Sequence, residues 1–358
     1  MTRPIQTHID TGALRHNIAV IRNQAPASKL MAVVKANAYG HHVPAIFPAL
    51  DAADALAVAS LDEALQCRQL GWNKPILLLE GVFESKELEE CAAQQIGMVI
   101  HHQQQIDWLC QQPIRVPLFV KLNSGMNRLG FQPEAYHRAI AALRAHPLLS
   151  DITQISHFAN ADLSAGMEKT IHMIDQHFSR YPYPVSLSNS AAIFRHPTTH
   201  RNWIRPGIAL YGASPFADAS AATLSLRPVM HLTSSIIAIQ QLAAGEAVGY
   251  GNTWVAEYPT RVGIVACGYA DGYPRHAPSG TPILVENQRT HTLGRVSMDM
   301  LCVNLTFLPH ATVGSPVTLW GGDLSVDEVA QSADTIGYEL LCARAPRPSN
   351  ILSEAYQT

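Results

Sequence analysis

The segment Val33-Val34-Lys35-Ala36-Asn37-Ala38-Tyr39-Gly40-His41 places an amine at the end of an apolar run. Leu30 to Val34 predicts a buried strand that delivers Lys35 at its C-terminal end. Low-dielectric surroundings disfavour an ammonium, and only the neutral amine attacks a carbonyl to form a Schiff base. Tyr39, four residues on, is placed to reach an anionic group at the same spot. The plainer reading is a strand-end lysine solvating a barrel rim. Two further strings, Val248-Gly249-Tyr250-Gly251-Asn252-Thr253-Trp254 and Gly268-Tyr269-Ala270-Asp271-Gly272-Tyr273, each set a tyrosine in a glycine-rich turn. Either phenol is a candidate proton carrier, either is also a plain turn tyrosine, and spacing does not choose between them. In Lys121-Leu122-Asn123-Ser124-Gly125-Met126-Asn127-Arg128, the fork of Arg128 matches a carboxylate geometrically.

Positioning such groups requires a scaffold, and the first 210 or so residues supply a regular one. Strand-like runs recur at Leu30–Val34, Leu56–Ala59, Pro75–Leu79, Gly97–Ile100, Val116–Val120, Ile152–Ser156, Val185–Ser188 and Asn202–Arg205. Helical patterns separate them, as at Gln103–Gln111, Pro133–His146 and Gly166–Ser179, and Ser60-Leu61-Asp62-Glu63 is a capping box opening another helix. Eight such units predict an α/β fold with an N-terminal (β/α)8 TIM-like barrel. From about residue 225 the texture is mostly β: Val229–Ile239, Arg261–Ala266, Pro282–Val285, Thr290–Leu293, Met300–Leu305 and Ser315–Leu319, with a short helix near Val326–Ser332. The expected division is therefore a barrel over residues 1–225 and a β-rich C-terminal domain over 226–358, with residues 1–10 available to pair with the latter. The polar, proline-containing tail from Ala345 is expected to end loosely.

Composition narrows the classes further. Of 358 residues 47% are hydrophobic and only 15% charged, with a net charge of −3, which argues against nucleic acid or an anionic membrane as partner. No apolar run reaches the ~18 residues that span a bilayer, and the N-terminus has no signal-peptide core. The six cysteines lie apart without C-x-x-C spacing, and no histidine pair has a metal-ligand partner. Reduced thiols, no metal and a cytoplasmic location are the expectations.

Barrel active sites gather at the C-terminal strand ends. There stand Lys35, Lys121, His157, Asn189-Ser190 and Arg205-Pro206-Gly207-Ile208. The string VVKANAYGH resembles the cofactor-lysine motif of the alanine racemases. Five further strings follow in that family's order: the Lys121–Gly130 run, the two tyrosine motifs, Gly294-Arg295-Val296-Ser297-Met298-Asp299-Met300 and Gly337-Tyr338-Glu339-Leu340. The resemblance reaches about residue 343 and implies pyridoxal 5′-phosphate on Lys35. It also implies that an external aldimine of alanine passes its α-proton between Lys35 and Tyr250, interconverting the L and D forms. It assigns Tyr269 to the substrate entrance, Met298 to the substrate carboxylate through its backbone, and Tyr338 to the cofactor phosphate.

A pyridine carrying a phosphate needs donors, which Ser190, Gly207 and Ile208 offer, with Asn189 beside them. Arg205, held in place by His157, would donate to the ring nitrogen without giving up its own proton. Lys121 is carbamylated in some relatives; a Lys121–carboxylate contact or a simple strand-end lysine are the alternatives. Asn123-Ser124 departs from the acidic residue and threonine common in the family. The resemblance also implies a head-to-tail homodimer with composite active sites. Three other readings stand beside it. One is a racemase of another small amino acid such as serine, and another a non-catalytic barrel that binds the cofactor and lacks the β-domain. The third is a decarboxylase using Cys267.

Overall fold

The structure is a computed structural model and describes residues 3–148, 151–163 and 165–355. Strand β1 (Gln6–Asp10) is followed by eight strands that close a parallel barrel. These are β2 (Lys29–Val33), β3 (Ala55–Val58), β4 (Ile76–Leu78), β5 (Ile96–Ile100), β6 (Leu118–Lys121), β7 (Ile152–Ile155), β8 (Val185–Ser186) and β9 (Trp203–Ile204). All eight fall on the apolar runs read from the sequence, because a parallel strand covered on both faces must be apolar throughout. Register runs in neighbour order from β2 to β9, and Lys29 and Leu30 of β2 close the ring against Trp203 and Ile204 of β9. Helices Leu61–Gln69, Gln103–Cys110, Pro133–Ala145 and Glu168–Phe178 cover the outside.

The remaining strands are β10 (Met230–Leu242), β11 (Ala247–Val248), β12 (Trp254–Val255), β13 (Thr260–Val265), β14 (Pro282–Val285), β15 (Gln288–Leu293), β16 (Leu301–Asn304), β17 (Pro316–Trp320) and β18 (Ser349–Ser353). Long β10 pairs with β17 through Leu232–Ser235 and with β13 through Ile236–Leu242, so β10-β13-β16-β15-β14-β17 forms a second, antiparallel ring. Strand β1 extends that sheet by pairing antiparallel with Met230–Thr233.

Part of the tail from Ala345 is built into the sheet. Ser349–Ser353 lies parallel to β1, in register from Gln6–Ser349 to Asp10–Ser353, and Arg344 Nε donates to Thr7 Oγ1 at 3.0 Å. The last residues of the expected loose end, 356–358, lie outside the described residues. Among the described residues no helix is long and apolar enough to cross a membrane.

Candidate active site

At the C-terminal ends of the barrel strands lies a cavity of about 620 Å³. It gathers Lys35, Tyr39, Lys121, Arg128, His157, Asn189, Ser190, Arg205, Gly207, Ile208 and Tyr338, eleven residues that the sequence singled out. They come from both ends of the chain because successive strands end side by side around one rim.

Lys35 leaves β2 into an unusual piece of backbone. Ala36, Asn37, Ala38 and Tyr39 have φ of 53°, 52°, 57° and 51°, and Gly40 follows at 77°. This is a full left-handed helical turn, closed by Ala38 N to Val34 O (2.8 Å) and Gly40 N to Ala36 O (3.0 Å). L-residues pay roughly 1–2 kcal/mol each for that conformation, so the surroundings must hold it. Gly40 is obligatory twice over: its φ is positive, and a Cβ there would stand 2.0 Å from the Leu341 carbonyl oxygen. The turn aims Tyr39 at Gly207, where a Cβ would lie 2.5 Å from the Tyr39 hydroxyl. Tyr39 stacks on Tyr211 at 4.8 Å and tilts against Tyr338 at 6.1 Å. Burial pushes the phenols of Tyr39 and Tyr338 upward, which keeps both as neutral hydroxyl donors.

Beside Gly207 the helix Ser190–Arg195 begins, with Asn189 Oδ1 capping Ala192 N at 3.0 Å. Ser190 Oγ accepts from the amides of Gly207 (2.9 Å) and Ala209 (3.3 Å), which leaves its own proton to donate into the cavity. The Gly207 amide, expected as an open donor, is thus engaged by Ser190.

Arg205 is 5% exposed, and burial lowers its guanidinium to about 10, still a cation at neutral pH. Its partners are Ser186 Oγ (2.5 Å), Ser156 O (2.7 Å) and Leu187 O (3.2 Å). The expectation that His157 holds it is therefore replaced by a serine and two carbonyls. Three oxygens suit a buried cation better than an imidazole of the same positive neighbourhood. Burial first, then Arg205, Lys121, Arg128 and Lys35, push His157 down to about 3, so it is neutral. Burial likewise lowers Lys121 to about 8, helped by Arg205 and Arg128 and opposed by Glu80. Among the described residues no carboxylate lies within ion-pair distance of Lys121 or Arg205. Asn123 spends its side chain on the turn, accepting from Gly125 N and Asn127 N at 3.1 Å each.

Sequence reasoning overlooked several contributors. Glu80 is, among the described residues, the one carboxylate lining the cavity, and Cys342 lines it as well. Glu63, read only as half of a capping box, sends its carboxylate to the Ala36 amide, and His41 bonds the turn from its other end. Both lie inside strings already noted, but the Glu63 contact joins distant segments, and the His41 contacts, though local, exist only because the backbone takes the left-handed turn.

Three singled-out residues are not in the cavity. Tyr250, Tyr269 and Met298 are 69%, 40% and 53% exposed on the β-domain. Tyr250 sits in the turn between β11 and β12. The Tyr269 turn is bonded to the Met298 loop through Tyr269 N to Ser297 O (3.1 Å) and Ala270 N to Met298 O (3.0 Å).

The fold and cavity define a barrel protein with a β-rich C-terminal domain, whose cavity is lined by two strand-end lysines, Lys35 and Lys121, two arginines and several hydroxyls, a lining suited to a small anionic molecule. The donor set fits an aldehyde that carries a phosphate: an amine to bond it, and cations and hydroxyls to hold it. Comparison with known proteins narrows this further. The family description "Alanine racemase, N-terminal domain" matches residues 9–215, and "Alanine racemase, C-terminal domain" matches 229–352. The chain belongs to the alanine racemase family. It is 50% identical to a catabolic alanine racemase of Klebsiella aerogenes, over 97% of this chain and 98% of that one. It superimposes on the biosynthetic alanine racemase of Pseudomonas aeruginosa with a TM-score of 0.96 at 46% identity, covering 98% and 100% of the two chains. An alanine racemase from Bartonella henselae, solved with covalently bound pyridoxal phosphate, matches with a TM-score of 0.87 at 28% identity, covering 98% and 99%.

Proposed function

We propose that this enzyme, which interconverts L- and D-alanine, does so with Lys35 and Tyr250 on opposite faces of the substrate α-carbon, in a site shared between two copies of the chain. When bound at Lys35, pyridoxal phosphate acidifies that α-carbon. The observation that carries the reading is the cavity itself: Lys35 at the exit of β2 beside Lys121, Arg128 and Arg205, none of them ion-paired to a carboxylate among the described residues, walled by hydroxyl donors. Tyr39, Tyr338 and Ser190 would hold the phosphate. Arg205 would donate to the ring nitrogen while keeping its own proton, which limits side reactions by leaving the ring a weaker electron sink. Arg128 would clamp the substrate carboxylate. Lys121, neutral above about pH 8 and without a carboxylate partner, suits carbamylation, and the resulting anion would steady Arg128. The exposed edge bearing Tyr250, Tyr269 and Met298 would complete the cavity of the partner, since a site this small needs a second wall.

The test is isotopic. Tyr250→Phe should stop exchange of the α-proton of L-alanine with deuterated solvent, while Lys35 still exchanges that of D-alanine. Tyr269→Phe should lack this asymmetry and should instead widen substrate choice. Equal exchange of both enantiomers by Tyr250→Phe would refute the two-base assignment.

A further inference from the structure

The left-handed turn after Lys35 is fastened at both ends by side chains that touch neither the cavity nor each other. At its start, the Ala36 amide lacks a carbonyl partner of its own, as first-turn amides do. Glu63 supplies the acceptor: Oε1 takes Ala36 N at 2.7 Å while Oε2 takes Ala59 N at 2.8 Å. One carboxylate thereby bridges the exits of β2 and β3, which are paired neighbours in the barrel. Glu63 is itself fixed because it lies in the first turn of the helix Leu61–Gln69, with Ser60 Oγ accepting from its amide.

At the far end, His41 Nδ1 lies 3.0 Å from both Ala38 O and Tyr39 O. Both partners are acceptors, so Nδ1 carries the hydrogen. The ring is fully buried and stacks on Tyr211 at 4.5 Å; Tyr211 stacks on Tyr39 and donates to Val33 O at 2.9 Å. The imidazole is therefore tied to the turn, to the tyrosine beside it and to the strand that precedes Lys35.

We propose that Glu63 and His41 are positioning residues, two clasps that keep a disfavoured backbone turn in place and so fix where the Lys35 amine and the Tyr39 hydroxyl stand. A turn whose residues prefer the right-handed region returns to it when its ends are freed. The consequence for the cofactor rests on the proposed role of Lys35, whereas the clasp itself does not.

Amide hydrogen exchange of peptides covering residues 35–42 separates the two. In apoprotein and holoenzyme alike, Glu63→Gln and His41→Phe should speed exchange in that peptide at least tenfold, with the other barrel peptides unchanged. Pyridoxal phosphate should also leave each holoenzyme variant severalfold faster on dialysis, read by the amount trapped with borohydride. His41→Asn, which restores a side-chain N–H, should recover part of the protection. Unchanged exchange at 35–42 in both Glu63→Gln and His41→Phe would overturn the proposal. So would a uniform rise across the barrel with a lowered Tm. Faster exchange with undiminished cofactor retention would uphold the clasp and overturn the role of Lys35 and Tyr39.

Discussion

Arg205 is a buried cation and Lys121 a half-buried one, and the deeper such a group lies the more it needs acceptors or an anion to compensate it. Arg205 has its oxygens in Ser186, Ser156 and Leu187. Lys121 has, among the described residues, no ion-paired carboxylate, and the pull of Glu80 is set against the push of Arg205, Arg128 and Lys35. A lysine lowered to about 8 keeps a useful fraction of free amine near neutrality, and that amine is the form that takes up carbon dioxide. Lys121→Gln should therefore leave cofactor retention intact while raising the KM for alanine about tenfold, equivalent to ~1.4 kcal/mol of lost ordering of Arg128. Intact-mass measurement of native enzyme should show one carbon dioxide per chain, lost at low pH. An unmodified mass together with an unchanged KM in Lys121→Gln would remove the carbamate from the site.

At the scale of elements, the barrel strands and most of the β-domain were legible because each is an apolar run bounded by polar turns. Among those that were not are the short strands β11 and β12, which flank the turn read only as a tyrosine motif, and two further elements. Strand β18 is half-exposed along Ser349–Ser353, and its partner β1 lies more than three hundred residues earlier, so no local pattern announces it. The left-handed turn was equally hidden: Ala36-Asn37-Ala38-Tyr39 has no glycine before Gly40, and alanine favours right-handed helix. The site residues on the rim could be named because strand ends converge. Glu63 escaped notice as a site residue because its partner is set by tertiary approach, and His41 because its bonds to Ala38 and Tyr39 depend on the unforeseen left-handed turn. Glycine positions report the tightness of this packing. Gly207→Ala would drive a methyl into the Tyr39 hydroxyl, so it should weaken cofactor retention with a small change in Tm. Gly40→Ala meets backbone and a positive φ together. It should cost about 2 kcal/mol or more and lower the Tm by several degrees. Thermal unfolding of the two apoproteins checks the ranking; equal Tm values would contradict it.

The molecule as a whole carries buried neutral histidines. Burial pushes His41 and His231 from 6.5 down to about 4. Above pH 6.5 neither folded nor unfolded chain protonates them. As pH falls from 6.5 toward 4 the unfolded chain gains protons that the folded one cannot, so stability declines, by at most about 3 kcal/mol for each ring. Urea midpoints should fall between pH 7 and pH 5; a constant midpoint would contradict this. Assembly can be tested in the same whole-molecule terms. The cavity holds Lys35 but not Tyr250, which stands exposed on the β-domain with Tyr269 and Met298. In a head-to-tail dimer each site then takes its lysine from one protomer and its tyrosine from the other. Lys35→Ala and Tyr250→Phe should each be nearly inactive alone. Unfolded together and refolded as a mixture, they should regain activity, because one of the two sites in every mixed dimer has both groups intact. Random pairing makes half the dimers mixed and half their sites competent, so recovery should approach about one quarter of the wild-type rate. A monomeric enzyme, or a dimer whose sites each lie within one chain, would recover nothing on mixing.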